Sequence, residues 1–159
     1  MARKYNPFLE KIHIALYHIY AILREAGYDS KYFRKYEKER ITLTRGHMKG
    51  IGLLASGIME ILKGEKVEIK FPKKEKDLLK DIHMVLYEIF KVLDDVFSKL
   101  GYKNKYFERY KKEGGCPYIS QKKEYHKKCV ELLVDGLLGI GEIKQEVVAE
   151  IKKKIKKRR

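Results

Sequence analysis

Residues 27–36 read GYDSKYFRKY, and residues 101–110 read GYKNKYFERY. The two stretches share the first glycine, the Lys-Tyr-Phe triplet and the last tyrosine, so the chain repeats itself here. A glycine of this kind ends a helix, and a polar residue shortly after it favours the start of another. The repeated stretch therefore predicts two short helices, over residues 31–38 and 105–112.

The repeat extends to both sides of this stretch. Residues 12–23, IHIALYHIYAIL, match residues 82–93, IHMVLYEIFKVL, and their apolar residues recur every three or four positions, as on one face of an α-helix. The segments that follow the short helices also match, from His47 and His126 onward. The candidate N-terminal caps of the short helices are Asp29 or Ser30 in the first copy and Asn104 in the second.

These patterns predict an all-α protein made of two tandem helical hairpins, residues 8–63 and 78–141. Neither hairpin can bury its apolar stripe alone, so the two are expected to pack as a pseudo-twofold four-helix bundle with short crossover helices. Residues 64–76 would be a linker, and the alternating stretch 66–71 leaves open a strand that pairs with another subunit. Residues 142–159 are expected to form a basic C-terminal helix or arm within the same single domain.

The composition excludes several classes of protein. The chain has 159 residues and a formal net charge of +15. Its longest apolar stretch, residues 51–62, is shorter than the roughly 20 residues that cross a bilayer. Few amides with abundant Lys and Glu are typical of hyperthermophiles. We therefore expect a soluble protein of a hyperthermophilic archaeon or its virus, located in the cytoplasm, on the nucleoid or inside a virion.

Basic residues are concentrated at the C-terminus and in the two connectors, which are the segments that join the two long helices of each predicted hairpin. Residues 28–50 carry a net charge of +4, residues 99–128 carry +7 and residues 152–159 carry +7. In an up-down-up-down bundle both connectors would lie at the same end, which predicts one strongly positive end. Because Lys far outnumbers Arg, this end favours contacts with phosphates of any sequence over the reading of bases.

The candidate phosphate contacts are basic side chains of the connectors and the tail, and two tyrosines are candidates for stacking on unpaired bases. In the connectors these residues are Lys31, Lys35, Tyr36, Lys49, Lys105, Arg109, Tyr110 and Lys128. In the tail they are Lys152, Lys153, Lys154, Lys156, Lys157, Arg158 and Arg159. The alternative for the aromatic side chains is that they pack the short helices onto the bundle.

The leading interpretation is a non-enzymatic, largely sequence-independent nucleic-acid-binding protein. In size, charge and helicity it resembles the small nucleoproteins that coat the genomes of archaeal viruses, and chromatin-like packaging proteins. The expected partners are DNA or RNA and further copies of the chain, with no membrane and no small-molecule substrate. An alternative is a small helical RNA-binding subunit of a CRISPR-type ribonucleoprotein complex.

A further alternative is enzymatic. Arg40 is followed by six residues and then His47, which is similar to the Arg-x4–6-His element of the HEPN ribonuclease family. The resemblance implies that Arg40 and His47 would be the catalytic pair of a metal-independent ribonuclease. The second copy keeps His126 but has Ile119 at the position of the arginine.

Other histidines and cysteines match the sequence spacing of known metal-binding motifs only in part. Glu10 and His13 have the Glu-x-x-His spacing of di-iron bundles, but the second copy does not repeat it. Cys116, His126 and Cys129 are three zinc-type ligands without a fourth. The two cysteines alternatively form a disulfide, or Cys129 is a small core residue. We expect no metal and no cofactor.

Overall fold

The computed structural model describes residues 7–39, 47–64, 75–113 and 123–156, and all regular structure within these ranges is helical. The predicted all-α class is therefore confirmed. The helices are α1 (Pro7–Glu25), α2 (Lys31–Lys38), α3 (His47–Lys63), α4 (Glu75–Leu100), α5 (Lys105–Lys112), α6 (Lys123–Leu138) and α7 (Lys144–Lys156). A 3-10 turn, Gly139–Ile143, separates α6 from α7. Both short helices have the predicted limits.

Some expectations concern residues that lie outside these ranges. They are the alternating stretch 66–71, Arg40, Cys116, Lys157, Arg158 and Arg159. For His47, Lys154 and Lys156 only the helical backbone is described.

Each short helix follows a glycine turn and begins at a polar cap. Gly27 and Gly101 have φ angles of +95° and +70°, in the left-handed region that glycine adopts without a steric penalty. The hydroxyl of Ser30 accepts a hydrogen bond of 3.1 Å from a backbone N–H of α2. The carboxamide oxygen of Asn104 accepts two such bonds of 3.1 Å from α5. Ser30 rather than Asp29 is therefore the cap of α2, and Asn104 caps α5 as predicted.

The C-terminal end of α2 lies beside the beginnings of both neighbouring long helices. The hydroxyl of Tyr36 is 2.9 Å from Nε2 of His13, in the second turn of α1. Glu39, directly after α2, forms an ion pair with Lys49 in the first turn of α3. The beginnings of α1 and α3 are thus at the same end of the molecule.

The N-terminal half of α2 lies farther along the same two helices. Phe33 contacts Tyr20 of α1 edge-to-face, with ring centroids 4.9 Å apart, and its ring lies against Gly57 of α3. Helices α1 and α3 therefore run in the same sense, and α2 runs back between them.

The second half has the same arrangement. The hydroxyl of Tyr110 is 2.8 Å from Nε2 of His83 near the beginning of α4, and Phe107 lies against Gly136 near the end of α6. Helices α4 and α6 therefore also run in the same sense, with α5 reversed between them. The expected antiparallel hairpins are not found, because each short helix runs back along the long helices and its C-terminal end contacts the next long helix near that helix's beginning.

The buried apolar side chains of the long helices form one core cluster. Helix α1 packs against α3 and α6, and α4 packs against the same two helices, so α1 and α4 face each other across the core. Leu16, Ile51 and Leu86, from three different helices, meet there. Since α2 covers α1 and α3 while α5 covers α4 and α6, the two short helices lie on opposite sides. Helix α7 packs against α1 and α4.

The short helices are held by a phenylalanine ring on a glycine. A Cβ atom at Gly57 would lie 2.5 Å from Cδ1 of Phe33, and one at Gly136 would lie 2.5 Å from Cε1 of Phe107. Both rings are buried, with exposed fractions of 0% and 1%. Only a glycine leaves room for the ring at this separation.

We expect Gly57→Ala and Gly136→Ala to lower the free energy of unfolding by about 1–3 kcal/mol each, because the added methyl overlaps a buried ring that is packed on all sides. Urea denaturation measures the loss. Gly139→Ala is the matched control, because a Cβ atom there has nothing within 4 Å. Equal stabilities of Gly57→Ala and Gly139→Ala would contradict the packing described here.

An ion pair ties each short helix to the long helix before it, and its polarity is inverted between the halves. In the first half Arg24 of α1 donates two hydrogen bonds of 3.1 Å to Glu37 of α2, which also accepts one from Tyr20. In the second half Lys111 of α5 donates to Asp94 of α4 at 3.2 Å. The sequence match places Asp94 at the position of Arg24 and Lys111 at that of Glu37. Each short helix is therefore complementary in charge to its own partner.

The charge reversal Glu37→Lys is expected to destabilise the fold by placing a lysine against Arg24. Adding Arg24→Asp should restore part of the loss, since the pair then has the polarity of the second half. Because the groups are partly exposed, a double-mutant cycle on thermal unfolding should give a coupling of about 0.5–1 kcal/mol. A coupling of zero would show that the pair is not a structural contact in solution.

Candidate nucleic-acid interface

Each short helix presents a stripe of three basic side chains to solvent. The spacing of four and three residues places the members of each stripe on one helix face. The stripe of α2 consists of Lys31, Lys35 and Lys38, and the stripe of α5 consists of Lys105, Arg109 and Lys112, all of them exposed. Four of the predicted phosphate contacts therefore lie on exposed stripes.

The two stripes do not share one end of the molecule. Helix α2 lies over α1 and α3, whereas α5 lies over α4 and α6, on the other side of the core. Lys31 and Lys35 are therefore separated from Lys105 and Arg109. The predicted single positive end, which depended on antiparallel hairpins, is not formed by these residues.

The surroundings of the two stripes differ in charge. Residues 29–39 contain four basic and three acidic side chains, whereas the matching residues 103–113 contain five basic and two acidic ones. Asp29, which occupies the position of Lys103, pairs with Arg24 at 2.9 Å. We name the exposed Lys103, Lys105, Arg109 and Lys112, together with the partly exposed Tyr102 and Tyr106, the α5 face. It has the larger basic excess of the two.

Two of the predicted contacts belong to ion pairs that close the ends of the short helices. Lys49 pairs with Glu39, and Lys128 pairs with Glu113 at the matching place in the second half. The hydrogen bond from Lys49 lowers the pKa of the Glu39 carboxyl. The side chains of Lys49 and Lys128 are about half exposed, but an acidic partner offsets the charge of each.

The two tyrosines predicted to stack on bases lie in the core. Tyr36 is 5% exposed and Tyr110 is 0% exposed, and their hydroxyls are in hydrogen-bond contact with His13 and His83. Burial raises the pKa of Tyr36 to about 12. Neither ring presents a face to solvent in this structure. The alternative interpretation, in which these tyrosines pack the short helices onto the long ones, describes their positions.

Two other tyrosines, Tyr102 and Tyr106, are partly exposed beside the lysines of the α5 face. Tyr102 packs edge-on against Phe97, with centroids 5.0 Å apart, and the ammonium group of Lys105 lies 5.2 Å from the ring centroid of Tyr106. Two shallow grooves of about 260 and 240 Å³ adjoin Tyr102 and Lys103. The sequence does not distinguish these two rings from Tyr110, because all three lie in the same repeated stretch, residues 101–110.

A pair of buried histidines lies beneath α5. Nδ1 of His83 is 3.1 Å from Nδ1 of His126, and both side chains are almost fully buried. Burial, and to a lesser extent the neighbouring His126, lower the pKa of His83 to about 3. His83 is therefore neutral near pH 7.

The described side chains contain no group of three His, Cys, Asp or Glu arranged to hold a metal ion. Cys129 is a free thiol with an exposed fraction of 2%, and burial raises its pKa to about 11. It therefore acts as a small core residue. Among the helices as far as they are described, none is long and apolar enough to cross a membrane.

Comparisons of the chain with models of protein families, with curated proteins and with solved structures find no match.

We expect the protein to lose stability as the pH falls through about 6.5 toward 3, because the unfolded chain protonates His83 in this window while the folded chain does not. Between about pH 7.5 and pH 5 the contribution of His83 should fall by about 2 kcal/mol. Urea denaturation at both pH values measures it, and His83→Gln should reduce the pH dependence by this amount.

His18→Gln is the control for this measurement. Partial burial and the nearby Lys144 also lower the pKa of His18. His18→Gln should therefore reduce the pH dependence by less than His83→Gln, because His18 is only partly buried. The burial of His83 would be disproved by an identical pH dependence in the wild-type chain and in His83→Gln.

Proposed function

We propose that the protein binds nucleic acid without catalysis, mainly through the phosphate backbone, and that the α5 face is the principal contact. The observation that carries this proposal is the basic excess of residues 103–113 on one exposed side. Within the described part of the chain, Lys103, Lys105 and Lys112 are exposed and have no ion pair with an acidic side chain.

The kind of binding that we propose follows from the excess of lysine over arginine in the chain. An ammonium group on a flexible stem contacts a phosphate as a point charge and does not require a fixed geometry. Each phosphate that is neutralised releases counterions, which gives affinity that depends steeply on salt and little on sequence. This is the binding that a genome-packaging nucleoprotein or a chromatin-like protein needs, with many copies along one strand.

We also propose that the two halves of the chain are tandem repeats and that their long helices form a four-helix bundle. Matching contacts support it: His13 with Tyr36 corresponds to His83 with Tyr110, and each half has its own phenylalanine on a glycine. We propose that the second half binds the ligand, because residues 103–113 contain five basic and two acidic side chains whereas residues 29–39 contain four and three.

The basic tail is a second proposed contact. Lys152 and Lys153 on α7 are exposed, and Lys153 is 3.5 Å from Glu150. Ile151 beside them is 2% exposed, so this part of the helix is anchored to the core. Charge substitutions therefore test the tail better than deletion does, because deletion also removes a buried side chain.

The ribonuclease alternative has weaker support. His126, which matches His47 in the second half, is 1% exposed and contacts His83 rather than the surface. Cleavage of RNA by the purified chain without metal, lost in His47→Ala, would favour this alternative over the proposal.

Lys105→Gln, Arg109→Gln and Lys112→Gln in one chain are expected to weaken binding to nucleic acid more than tenfold at low salt. The slope of log K against log salt concentration should fall by up to about 3, because as many as three phosphate contacts are lost. Fluorescence anisotropy with a labelled oligonucleotide at several salt concentrations measures both quantities.

The matched control replaces Lys31, Lys35 and Lys38 by Gln, which removes the same charge from the equivalent stripe of α2. This variant should bind nearly as the wild type does. Equal losses in the two variants would mean that net charge alone drives binding, and flat, salt-independent binding would reject the proposed function.

A further inference from the structure

We propose that the groove between Tyr102 and Tyr106 is a binding site for unpaired bases, so that the preferred ligand is single-stranded nucleic acid. This inference rests on the proposed function and names its substrate class. The groove has a volume of about 240 Å³. It is lined by Tyr102, Lys103, Asn104, Lys105, Tyr106, Gly136 and Gly139.

The lining combines the two kinds of side chain that single-strand binding requires. The partly exposed rings of Tyr102 and Tyr106 supply aromatic surface, and the ammonium groups of Lys103 and Lys105 are exposed beside them. Base stacking on an aromatic ring accepts any base, while lysines contact the backbone between successive bases. A duplex stacks its bases on one another and gains only the backbone contacts.

The wall of the groove is rigid. The Asn104 side chain is 6% exposed and donates a hydrogen bond of 3.0 Å to the carbonyl oxygen of Gly136 in α6. Its oxygen accepts the two backbone N–H bonds that cap α5. Tyr102 is supported by Phe97 at a centroid distance of 5.0 Å. Tyr106, like Tyr102, also packs against the core. Both rings are thus supported before a ligand arrives, which limits the entropy lost on binding.

Charge distinguishes this groove from the neighbouring one. Asp94 and Glu108 line the groove of about 260 Å³, and Lys111 pairs with both of them at 3.2 and 3.3 Å. The lining of the groove between Tyr102 and Tyr106 includes no acidic side chain. A phosphate next to a bound base is therefore not repelled there.

The first half differs at the matching positions. Asp29 replaces Lys103 and pairs with Arg24, and Tyr32, which matches Tyr106, is only 8% exposed. The matching segment therefore has less aromatic surface and a carboxylate in place of an ammonium group. It provides an internal control for the proposed site.

The test measures the affinity of the full chain for an oligothymidylate, an oligouridylate and a duplex of the same length, at one salt concentration. We expect the wild type to bind the single strands about tenfold more tightly than the duplex. Tyr102→Leu with Tyr106→Leu should remove this preference and leave duplex binding nearly unchanged. Tyr102→Phe with Tyr106→Phe should retain it, because the ring remains.

Tyr28→Leu, at the position that matches Tyr102, should retain the single-strand preference. Circular dichroism of each variant checks that the helices are formed. If the double leucine variant fails to fold, the single variants Tyr102→Leu and Tyr106→Leu replace it, and each should weaken the single-strand preference. A preference for the thymidylate or for the uridylate would separate DNA from RNA as the source of the bases.

Three outcomes overturn part of the account. Salt-dependent binding without a single-strand preference would reject the base site but retain the proposed function. A single-strand preference that remains after both tyrosine rings are removed would show that the bases do not stack in this groove. Absence of salt-dependent binding to all three probes would reject the base site and the proposed function together.

Discussion

The contact of Phe33 with Gly57, and of Phe107 with Gly136, is the constraint on which the structure depends. It brings each short helix close enough for a tyrosine hydroxyl to reach the histidine of the long helix before it. Because the short helix then runs back along its neighbours, the two long helices in each half have the same sense. The placement of every charged side chain on the short helices follows from this arrangement.

Local features were largely predictable from the sequence. Gly27 and Gly101 indicate the turns, Asn104 has the residue type and position of a helix cap, and the limits of α2 and α5 follow from the repeated stretch. The relative sense of the long helices was not predictable, because the sequence does not state whether a connector lies across the end of a bundle or along its side. The contact of Tyr36 with His13 decides this, and it is a tertiary interaction.

The sequence predicts which segments of the candidate site are basic, but not how their side chains are arranged in the fold. The basic excess of the second connector is a property of the sequence, and α5 presents it to solvent. The pairing of Lys49 with Glu39, the separation of the two stripes and the burial of Tyr110 all depend on packing. Aromatic residues spaced along one short helix include both inward and outward rings, and only the packed structure separates Tyr110 from Tyr106.

The central claim is that one side of the molecule, around α5, meets the nucleic acid. Acetylation of surface lysines by a small reagent, with and without a saturating oligothymidylate, tests it most directly when mass spectrometry reports each site in the full chain. The account predicts protection of Lys103, Lys105 and Lys112, with Lys31, Lys35 and Lys38 modified as in the free protein. Equal protection of both stripes, or protection of the α2 stripe alone, would contradict it.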